Sequence, residues 1–381
     1  IKALPPILSY SPIHIPITTV QTRESTADTN GGNTPTVTII KRDLYDARFQ
    51  LISQTGSLES DREGISKDGE GVGVAGDALE FIDNPSDLVP GVYEGGLKTW
   101  ECSLDLVDYL EGSIKPIRRD KEWIRGKRIL EIGCGTAIPS LYLLQELFAS
   151  MPGGEGGEHA ETVLHFQDYN RAVLELVTFP NVLLTWYMSP LGKAYHELST
   201  TDGSSDGLPR NGELHVSSDL IASFLASLCE HNVTIRFSSG SWDGFPVILQ
   251  TEQLDMKPYD FVLTSETIYR LESLPSLITL LRLVSSGREH NPAHRSQFDD
   301  SDTIQSLASK LKIDSTSLDE PPQSTRDSCL CLIAAKILYF GVGGGVAEFE
   351  RMVQQTNGIV ERVVDKKSGV GRTVLNVRWP V

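Results

Sequence analysis

The chain has 381 residues, of which 39% are hydrophobic, and it carries a formal net charge of −17 with a pI of about 4.9. This length allows one large domain or two small ones, and the hydrophobic share is sufficient for a sizeable core. The acidic balance argues against direct binding of nucleic acid, which needs a basic face, and suits a basic protein partner.

Cysteine spacing and hydropathy argue against several further classes. The five cysteines form no Cys-x-x-Cys pair, and reduced thiols predict a cytoplasmic protein, with a nuclear location as the alternative. A membrane-spanning helix needs roughly 20 apolar residues, and no segment approaches that length, so we expect no membrane association. His290 and His294 have a ligand-like spacing but lie in a polar, loop-like segment without further zinc-type ligands, so we expect no metal site.

The first 93 residues lack the pattern of a folded core. Residues 1–45 are rich in Pro, Thr and Ser, and Thr55–Gly76 is mainly Gly, Glu, Asp and Ser. Such segments bury too little apolar surface to offset the loss of chain entropy. We therefore predict that residues 1–93 are largely disordered, with Asp43–Ile52 as either a docking helix or a solvated loop.

Residues 94–381 have the composition of a folded domain in which strand-like and helical patterns alternate. This alternation predicts an α/β fold with a parallel sheet and helices on both faces. Five strand-like runs are predicted: Arg128–Ile132, Thr162–Gln167, Thr234–Ser238, Tyr259–Ser265 and Cys329–Phe340. The predicted helices are Ser103–Leu110, Ile138–Ala149, Arg171–Leu184, Ser273–Val284 and Val346–Gln355. Two late strands, Ile359–Asp365 and Thr373–Trp379, could end the sheet as an antiparallel pair.

Two polar segments interrupt this alternation and are longer than ordinary connections. They cover residues 189–209 and 285–328, and the second is rich in Ser, Asp and Pro. We predict both as surface insertions. The Gly- and Glu-rich stretch Met151–Glu158 is a smaller one, which lengthens the connection between the helix after the first predicted strand and the second strand.

The first predicted strand turns through Gly133 and Gly135 into a helical pattern. Such a turn exposes bare backbone N–H groups at a helix N-terminus, where a nucleotide-like ligand can approach closely. A dinucleotide fingerprint would have a third glycine at position 138, which is Ile here. Glu131, two positions before the first of only two glycines, is instead typical of S-adenosylmethionine-dependent methyltransferases.

Asp168 ends the second strand-like run. A carboxylate at this strand end usually accepts hydrogen bonds from the ribose hydroxyls of a nucleoside. Its separation from Gly135 exceeds the usual distance of about 20 residues, and Met151–Glu158 accounts for much of the excess. The alternative is that Asp168 caps a helix starting near Asn170.

The third and fourth runs end in further candidate site residues. Gly240, Ser241 and Trp242 follow the third run, where a large aromatic suits stacking on an adenine ring. The alternative is that Trp242 belongs to the core, which this segment taken alone would favour. Ser265, Glu266 and Tyr269 follow the fourth run, at the sheet edge where such folds bind ligands. Glu266 and Tyr269 would share one face if a helix starts here, and the alternative is a helix cap with a solvated first turn.

Six segments, in this order, resemble the histidine protein methyltransferases of eukaryotes: GGLKTWECSLDL, LEIGCGTAIPSL, FQDYNRAVLELVTFPNV, FSSGSW, YDFVLTSETIY and YFGVGGG. These are seven-β-strand enzymes that methylate a histidine of a large-subunit ribosomal protein. The resemblance covers residues from about 94 to the C-terminus, without the insertions. It implies a seven-stranded, Rossmann-like class I methyltransferase sheet and a monomeric enzyme with S-adenosylmethionine as cofactor and a basic ribosomal protein as substrate. The family's basic nuclear-localisation stretch has no obvious counterpart in the acidic N-terminal region.

The resemblance also implies which residues bind and react. The cofactor would lie against Thr99, Trp100, Glu101, Cys102, Ser103, Glu131, Gly133, Gly135, Asp168, Tyr169, Asn170, Gly240, Ser241, Trp242 and Ser265. Glu266 and Tyr269 are the catalytic candidates, and Glu266 or a carbonyl of the Gly341–Gly345 loop would orient the imidazole. Two alternatives stay open, namely a lysine methyltransferase of the same superfamily and a non-catalytic escort of a basic ribosomal protein.

Overall fold

The computed structural model describes residues 4–19, 34–47, 50, 95–118, 120, 122–150, 160–199, 211–251, 257–286, 329–339, 343–367 and 369–380. The predicted segments Thr55–Gly76 and Met151–Glu158 lie outside the described residues. So do residues 287–328, which make up nearly all of the second predicted insertion.

The described residues form ten strands and eight α-helices of seven residues or more. The strands are β1 Ile7–Pro16, β2 Thr36–Arg42, β3 Arg128–Ile132, β4 Thr162–Asp168, β5 Gly212–His215, β6 Val233–Ser239, β7 Phe261–Ser265, β8 Leu330–Lys336, β9 Ile359–Lys366 and β10 Arg372–Arg378. The helices are α1 Glu101–Tyr109, α2 Ile138–Ala149, α3 Phe179–Tyr187, α4 Pro190–Ser199, α5 Ser218–Glu230, α6 Phe245–Thr251, α7 Leu274–Ser286 and α8 Val346–Gln355. A π-helical turn, Leu110–Ile114, continues α1, and a short helix Arg171–Val173 and a π-helical turn Leu174–Thr178 lead into α3.

The main sheet has seven strands in the order β6-β4-β3-β7-β8-β10-β9. Strands β6, β4, β3, β7 and β8 are parallel, and β10 runs antiparallel to both of its neighbours. All seven residues of β4 are buried, as expected for a central strand covered on both faces. The sequence prediction of the α/β sheet, including its late antiparallel pair, is confirmed.

The strand order reverses between β3 and β7, so a crevice opens outside the carboxyl ends of these two strands. Two clusters of buried side chains fill the two faces of the sheet. Leu164 and Phe166 of β4 belong to one cluster, and Leu130 and Ile132 of β3 belong to the other. The core therefore holds the strands rigidly beneath the loops that border the crevice.

The prediction of disorder for residues 1–45 is wrong for two segments. Strand β1 pairs antiparallel with β2 and with β5, which makes a separate three-stranded sheet. Leu8, Ile15 and Ile39 are at most 1% exposed and join the main core cluster. The average composition of this region hid two short apolar runs, because the intervening Pro, Thr and Ser dominate the count. Residues 44–47 are helical, which agrees with the docking helix predicted within Asp43–Ile52.

The first predicted insertion, residues 189–209, is also partly wrong. Pro190–Ser199 is a helix rather than a loop, and residues 200–210 lie outside the described part. The strand that follows, β5, completes the small sheet, and α5 then leads into β6. Helices α5 and α6 have no counterpart in the sequence prediction.

Candidate active site

A cavity of about 860 Å³ lies at the carboxyl edge of the main sheet. The loops that follow β3, β4, β6 and β7 border it, together with the segment before α1 and the end of β8. Ten of the predicted site residues line it: Trp100, Ser103, Gly133, Gly135, Asp168, Tyr169, Trp242, Ser265, Glu266 and Tyr269. The fold thus brings most of the sequence candidates to one place.

The sequence predicted bare backbone N–H groups at the turn after β3. In the structure, hydrogen bonds to β4 hold this turn instead. The Gly133 N–H donates to Gln167 Oε1 at 3.2 Å, and the Cys134 N–H donates to the Gln167 carbonyl oxygen at 2.9 Å. The Gly135 N–H donates to Asp168 Oδ2 at 2.9 Å. Because these donors are satisfied by β4, the turn is already in one conformation before any ligand binds.

Both the backbone angle and the surroundings of position 135 require a glycine there. Its φ of +52° lies in the left-handed region that favours glycine. A Cβ atom at this position would lie 3.1 Å from the carbonyl oxygen of Gly96, in the segment before α1. The close approach of these two backbones forms one wall of the cavity.

Asp168 lies at the end of β4 and is 5% exposed. Besides the bond from Gly135, its Oδ1 accepts the Asn170 N–H at 2.9 Å. That bond orders the turn before the short helix that begins at Arg171. The side chain of Asn170, the N-cap residue of this helix, makes no capping hydrogen bond. The carboxylate therefore has a structural role and also lines the cavity, where a ribose could meet it.

Seven predicted cofactor residues do not line the cavity but lie around it: Thr99, Glu101, Cys102, Glu131, Asn170, Gly240 and Ser241. Several of them hold lining segments in place. The Asn170 side-chain amide donates to the Gly95 carbonyl at 3.0 Å, and the Gly240 N–H donates to the Asp168 carbonyl at 3.0 Å. These two bonds support the walls of the cavity, and cofactor binding by the seven residues stays a prediction.

Glu131 is 1% exposed and its Oε2 accepts the Ser140 N–H at 3.0 Å, at the start of α2. Burial raises the pKa of Glu131 to about 8. Through the bond from Ser140, the Glu131 carboxyl group joins the strand to the first turn of the helix that follows it, behind the glycine turn.

The opposite wall of the cavity is formed around Glu266. Its backbone φ is +58°, and its side chain is 11% exposed. The Tyr339 hydroxyl donates to Glu266 Oε2 at 2.7 Å. Glu266 Oε1 is buried and receives no hydrogen bond from nitrogen or oxygen of the described residues. The Lys336 ammonium lies 3.6 Å from this oxygen, and the thiol of Cys102, a weak donor, interacts with the Glu266 side chain.

Lys336 and Tyr339 were not predicted as site residues, although YFGVGGG begins at Tyr339. The Lys336 ammonium lies 4.6 Å from the centre of the Trp100 ring and 3.9 Å from Glu101 Oε2. Burial and the negative charge of Glu266 raise the pKa of Tyr339, so this phenol stays protonated and acts as a donor. A lysine inside an apolar strand run gives no local signal of function, because only the sheet places it beside Glu266.

Residues 266–273 form a loop, and α7 begins at Leu274, so the helix expected at Glu266 is absent there. The alternative of a cap with a solvated first turn is also wrong, because no helix begins at Glu266 and its side chain is only 11% exposed. Tyr269 lines the cavity, with its ring centre 6.3 Å from that of Tyr339, and its carbonyl accepts the Gly344 N–H at 3.0 Å. Residues 341 and 342 of the glycine-rich loop lie outside the described part.

Trp242 is half-buried, lines the cavity and packs against a core cluster, so its predicted stacking on an adenine ring stays a prediction. Further lining residues without a predicted role are Gly95, Gly96, Lys98, Cys134, Thr136, Thr267, Arg270, Glu272, Leu338 and Val370. Within the described ranges no group of three potential metal ligands is found, and none of the helices there is long and apolar enough to cross a membrane.

The strand order, with its antiparallel β10, and the cavity outside β3 and β7 define a class I, Rossmann-like methyltransferase. The chain belongs to the histidine protein methyltransferase family. It is 31% identical over 342 residues to Histidine protein methyltransferase 1 of Schizosaccharomyces pombe, covering 89% of this chain and 76% of that protein. The Saccharomyces cerevisiae protein of the same name is 32% identical over 312 residues, covering 82% of this chain and 67% of that protein. No family model matches the chain.

Solved structures with a similar fold are more distant. A magnesium protoporphyrin IX methyltransferase from Synechocystis with bound S-adenosylhomocysteine has a TM-score of 0.32 and 8% identity, covering 89% of this chain and 100% of that one. An rRNA methyltransferase from Streptomyces viridochromogenes has a TM-score of 0.33 and 15% identity, covering 79% and 94%. Membership of this family confirms the methyltransferase activity that the six segments predicted.

Proposed function

We propose that this protein transfers a methyl group from S-adenosylmethionine to an imidazole nitrogen of a histidine in a large-subunit ribosomal protein. The observation that carries this proposal is the carboxylate of Glu266. One of its oxygens is fixed by Tyr339, and the other is buried in the cavity wall without a hydrogen bond from nitrogen or oxygen of the described residues. An N–H donor of a substrate would satisfy this oxygen.

The cofactor half of the cavity fits the methyl donor. The Gly135 turn lets the backbone come close to a ligand, and Asp168 lies at the strand end that a ribose would reach. Trp100, Tyr169 and Trp242 supply aromatic surface along the same cavity. When bound, the cofactor supplies a methyl group on a positively charged sulfur.

Glu266 would select the reacting ring nitrogen. A neutral imidazole carries a proton on one nitrogen and a lone pair on the other. If Glu266 Oε1 accepts the N–H of one nitrogen, the other presents its lone pair along a fixed direction. Free imidazole has a pKa of about 6.5, so most of it is neutral at pH 7 and no strong general base is needed.

Lys336 supports histidine over lysine as the acceptor. Its ammonium lines the cavity beside Glu266, and a second cation in this partly desolvated place would be repelled. A lysine substrate has a pKa of about 10.4 and would enter as an ammonium, which lacks a lone pair. The net charge of −17 supports a basic protein as the substrate.

The direct test is incubation of the purified protein with radiolabelled S-adenosylmethionine and isolated large-subunit ribosomal proteins, followed by acid hydrolysis and amino-acid analysis. We expect labelled methyl-histidine in one ribosomal protein. Glu266→Gln should reduce the label, whereas Glu348→Gln, at an exposed pair with Arg351 on α8, should not. Labelled methyl-lysine would favour the lysine alternative. Failure of the wild type to bind S-adenosylhomocysteine in calorimetry would favour the non-catalytic escort.

A further inference from the structure

The end of strand β2 is buried against the segment that leads into α3. The Arg42 backbone N–H donates to Asn181 Oδ1 at 2.7 Å. The Arg42 guanidinium, in a residue that is 3% exposed, donates to Asp46 Oδ2 at 2.7 Å and to the Leu176 carbonyl at 2.7 Å. Leu176 lies in the π-helical turn Leu174–Thr178, where the regular helical bonding is interrupted. The small N-terminal sheet is thus fastened to the methyltransferase fold at this point.

The Asn181 side chain also connects to the wall of the cavity. Asn181 is 1% exposed, and its Nδ2 donates to the Thr136 carbonyl at 3.0 Å. One turn earlier, the Thr178 hydroxyl donates to the Gly135 carbonyl at 2.7 Å. Thr136 and Gly135 both line the cavity. The planar amide of Asn181 is therefore held at its oxygen by β2 and holds the glycine turn with its nitrogen.

Apolar packing strengthens this connection. Just after β2, Ala47 is buried in a small cluster with Leu97, Val173 and Leu176, and the partly buried Leu44 packs against this cluster. Leu97 follows Gly96, whose backbone approaches Gly135. The Val173 side chain packs beside Gly96, 3.0 Å from the place that a Cβ atom on Gly96 would take. The N-terminal segment therefore supports the glycine turn and the facing Gly96 segment from behind.

We propose that Asn181 is a positioning residue for the cofactor, and that strand β2 contributes to cofactor affinity through it. The proposal rests on the proposed function, because it assumes that the glycine turn contacts S-adenosylmethionine. Asn181 reaches no ligand itself, since the Gly135–Thr136 turn lies between its amide and the cavity. A turn that is held before binding loses less freedom when the ligand arrives, and this raises affinity.

Asn181→Asp tests the amide because it keeps an acceptor for the Arg42 N–H but replaces the donor to Thr136 with an oxygen. We expect S-adenosylhomocysteine to bind about tenfold or more weakly in calorimetry, the scale of one lost buried hydrogen bond. The KM for S-adenosylmethionine should rise by a similar factor, while kcat and the KM for the protein substrate stay within about twofold. If Asn181→Asp does not fold, Asn181→Ala removes the bonds to both Arg42 and Thr136 without an added charge, and we expect a loss of affinity at least as large.

Thr185→Val is the matched control. The Thr185 hydroxyl donates to the Asn181 carbonyl at 2.9 Å in the same helix, is buried, and does not reach the glycine turn. We expect it to lower the thermal midpoint while leaving cofactor affinity unchanged. Wild-type affinity in a folded Asn181 variant, or an equal loss in Thr185→Val, would overturn the proposal. A wild type that binds no S-adenosylhomocysteine would overturn the proposed function as well, so the two failures are distinguishable.

Discussion

The two walls of the cavity differ in how far their polar groups are satisfied. On the cofactor side, the N–H groups of Gly133, Cys134 and Gly135 all donate to residues of β4. On the opposite side, Glu266 Oε1 is buried without a hydrogen bond from nitrogen or oxygen of the described residues. Leu338 and Val370, which also line the cavity, are 64% and 50% exposed.

This difference suggests separate roles for the two walls. A satisfied network keeps one conformation and suits a ligand that every catalytic cycle uses in the same form. A buried acceptor that has an ion pair with Lys336 but no hydrogen bond still costs free energy, and a ligand with an N–H group would supply the missing donor. Exposed apolar residues around it offer contact area to a protein chain. The mutations below act on one wall at a time.

Gly135→Arg should abolish binding of S-adenosylhomocysteine in calorimetry. The new side chain would be forced into the left-handed region at φ +52°, against the Gly96 carbonyl and into the cavity. Gly369→Arg is a suitable control, because Gly369 has a φ of +72° and no atom of the described residues lies within 4 Å of the place that a Cβ would take. Gly369→Arg should keep the cofactor affinity of the wild type. If Gly135→Arg also binds as tightly as the wild type, the glycine turn is not part of the cofactor site.

Glu266→Gln should lower kcat by about 100-fold, the scale expected when a reacting group is misplaced by about 1 Å. Affinity for S-adenosylhomocysteine should stay within about twofold, because the glycine turn is untouched. Single-turnover kinetics and calorimetry together give this split. A loss of cofactor affinity equal to the loss of turnover would assign Glu266 to the cofactor wall instead.

Asp168→Ala should weaken S-adenosylhomocysteine by about 1.5–3 kcal/mol, the scale of a hydrogen bond to a charged group. The unliganded protein should also melt at a lower temperature, because the Gly135 and Asn170 N–H groups lose their acceptor. Thermal melting with and without ligand separates the two effects. A lower melting temperature with unchanged affinity would leave only the structural role.

The pH dependence of turnover should follow the substrate imidazole. Below its pKa of about 6.5, turnover should fall about tenfold per pH unit, because the protonated ring lacks a lone pair. The raised pKa of Tyr339 keeps its hydroxyl protonated well above neutral pH, so the bond to Glu266 should persist and no second decline is expected up to about pH 9. A profile that rises steeply into the alkaline range would contradict a neutral imidazole nucleophile.

Much of the site could be predicted from local patterns at the ends of strands. In parallel sheets the carboxyl ends meet at one edge, so Gly135, Asp168, Trp242 and Glu266 were each placed by the strand that precedes them. Lys336 was missed because it lies inside the predicted apolar run Cys329–Phe340, and only the sheet places it beside Glu266. Asn181 was missed because a polar residue in an amphipathic helix carries no sign of the backbone group that it will meet.

The sequence by itself determined the alternation of strands and helices and the glycine turn, since each depends on neighbours within about ten residues. It also determined the family resemblance, which depends on the order of six short segments along the chain. The tertiary structure alone decided which groups satisfy the turn, that Glu266 lies between Tyr339 and Lys336, and that β2 reaches Asn181. These contacts join residues far apart in the chain, and burial selects them only after the core has formed. Strands β1 and β2 are folded for the same reason: their apolar residues are too few to form a core alone, but the main domain provides one.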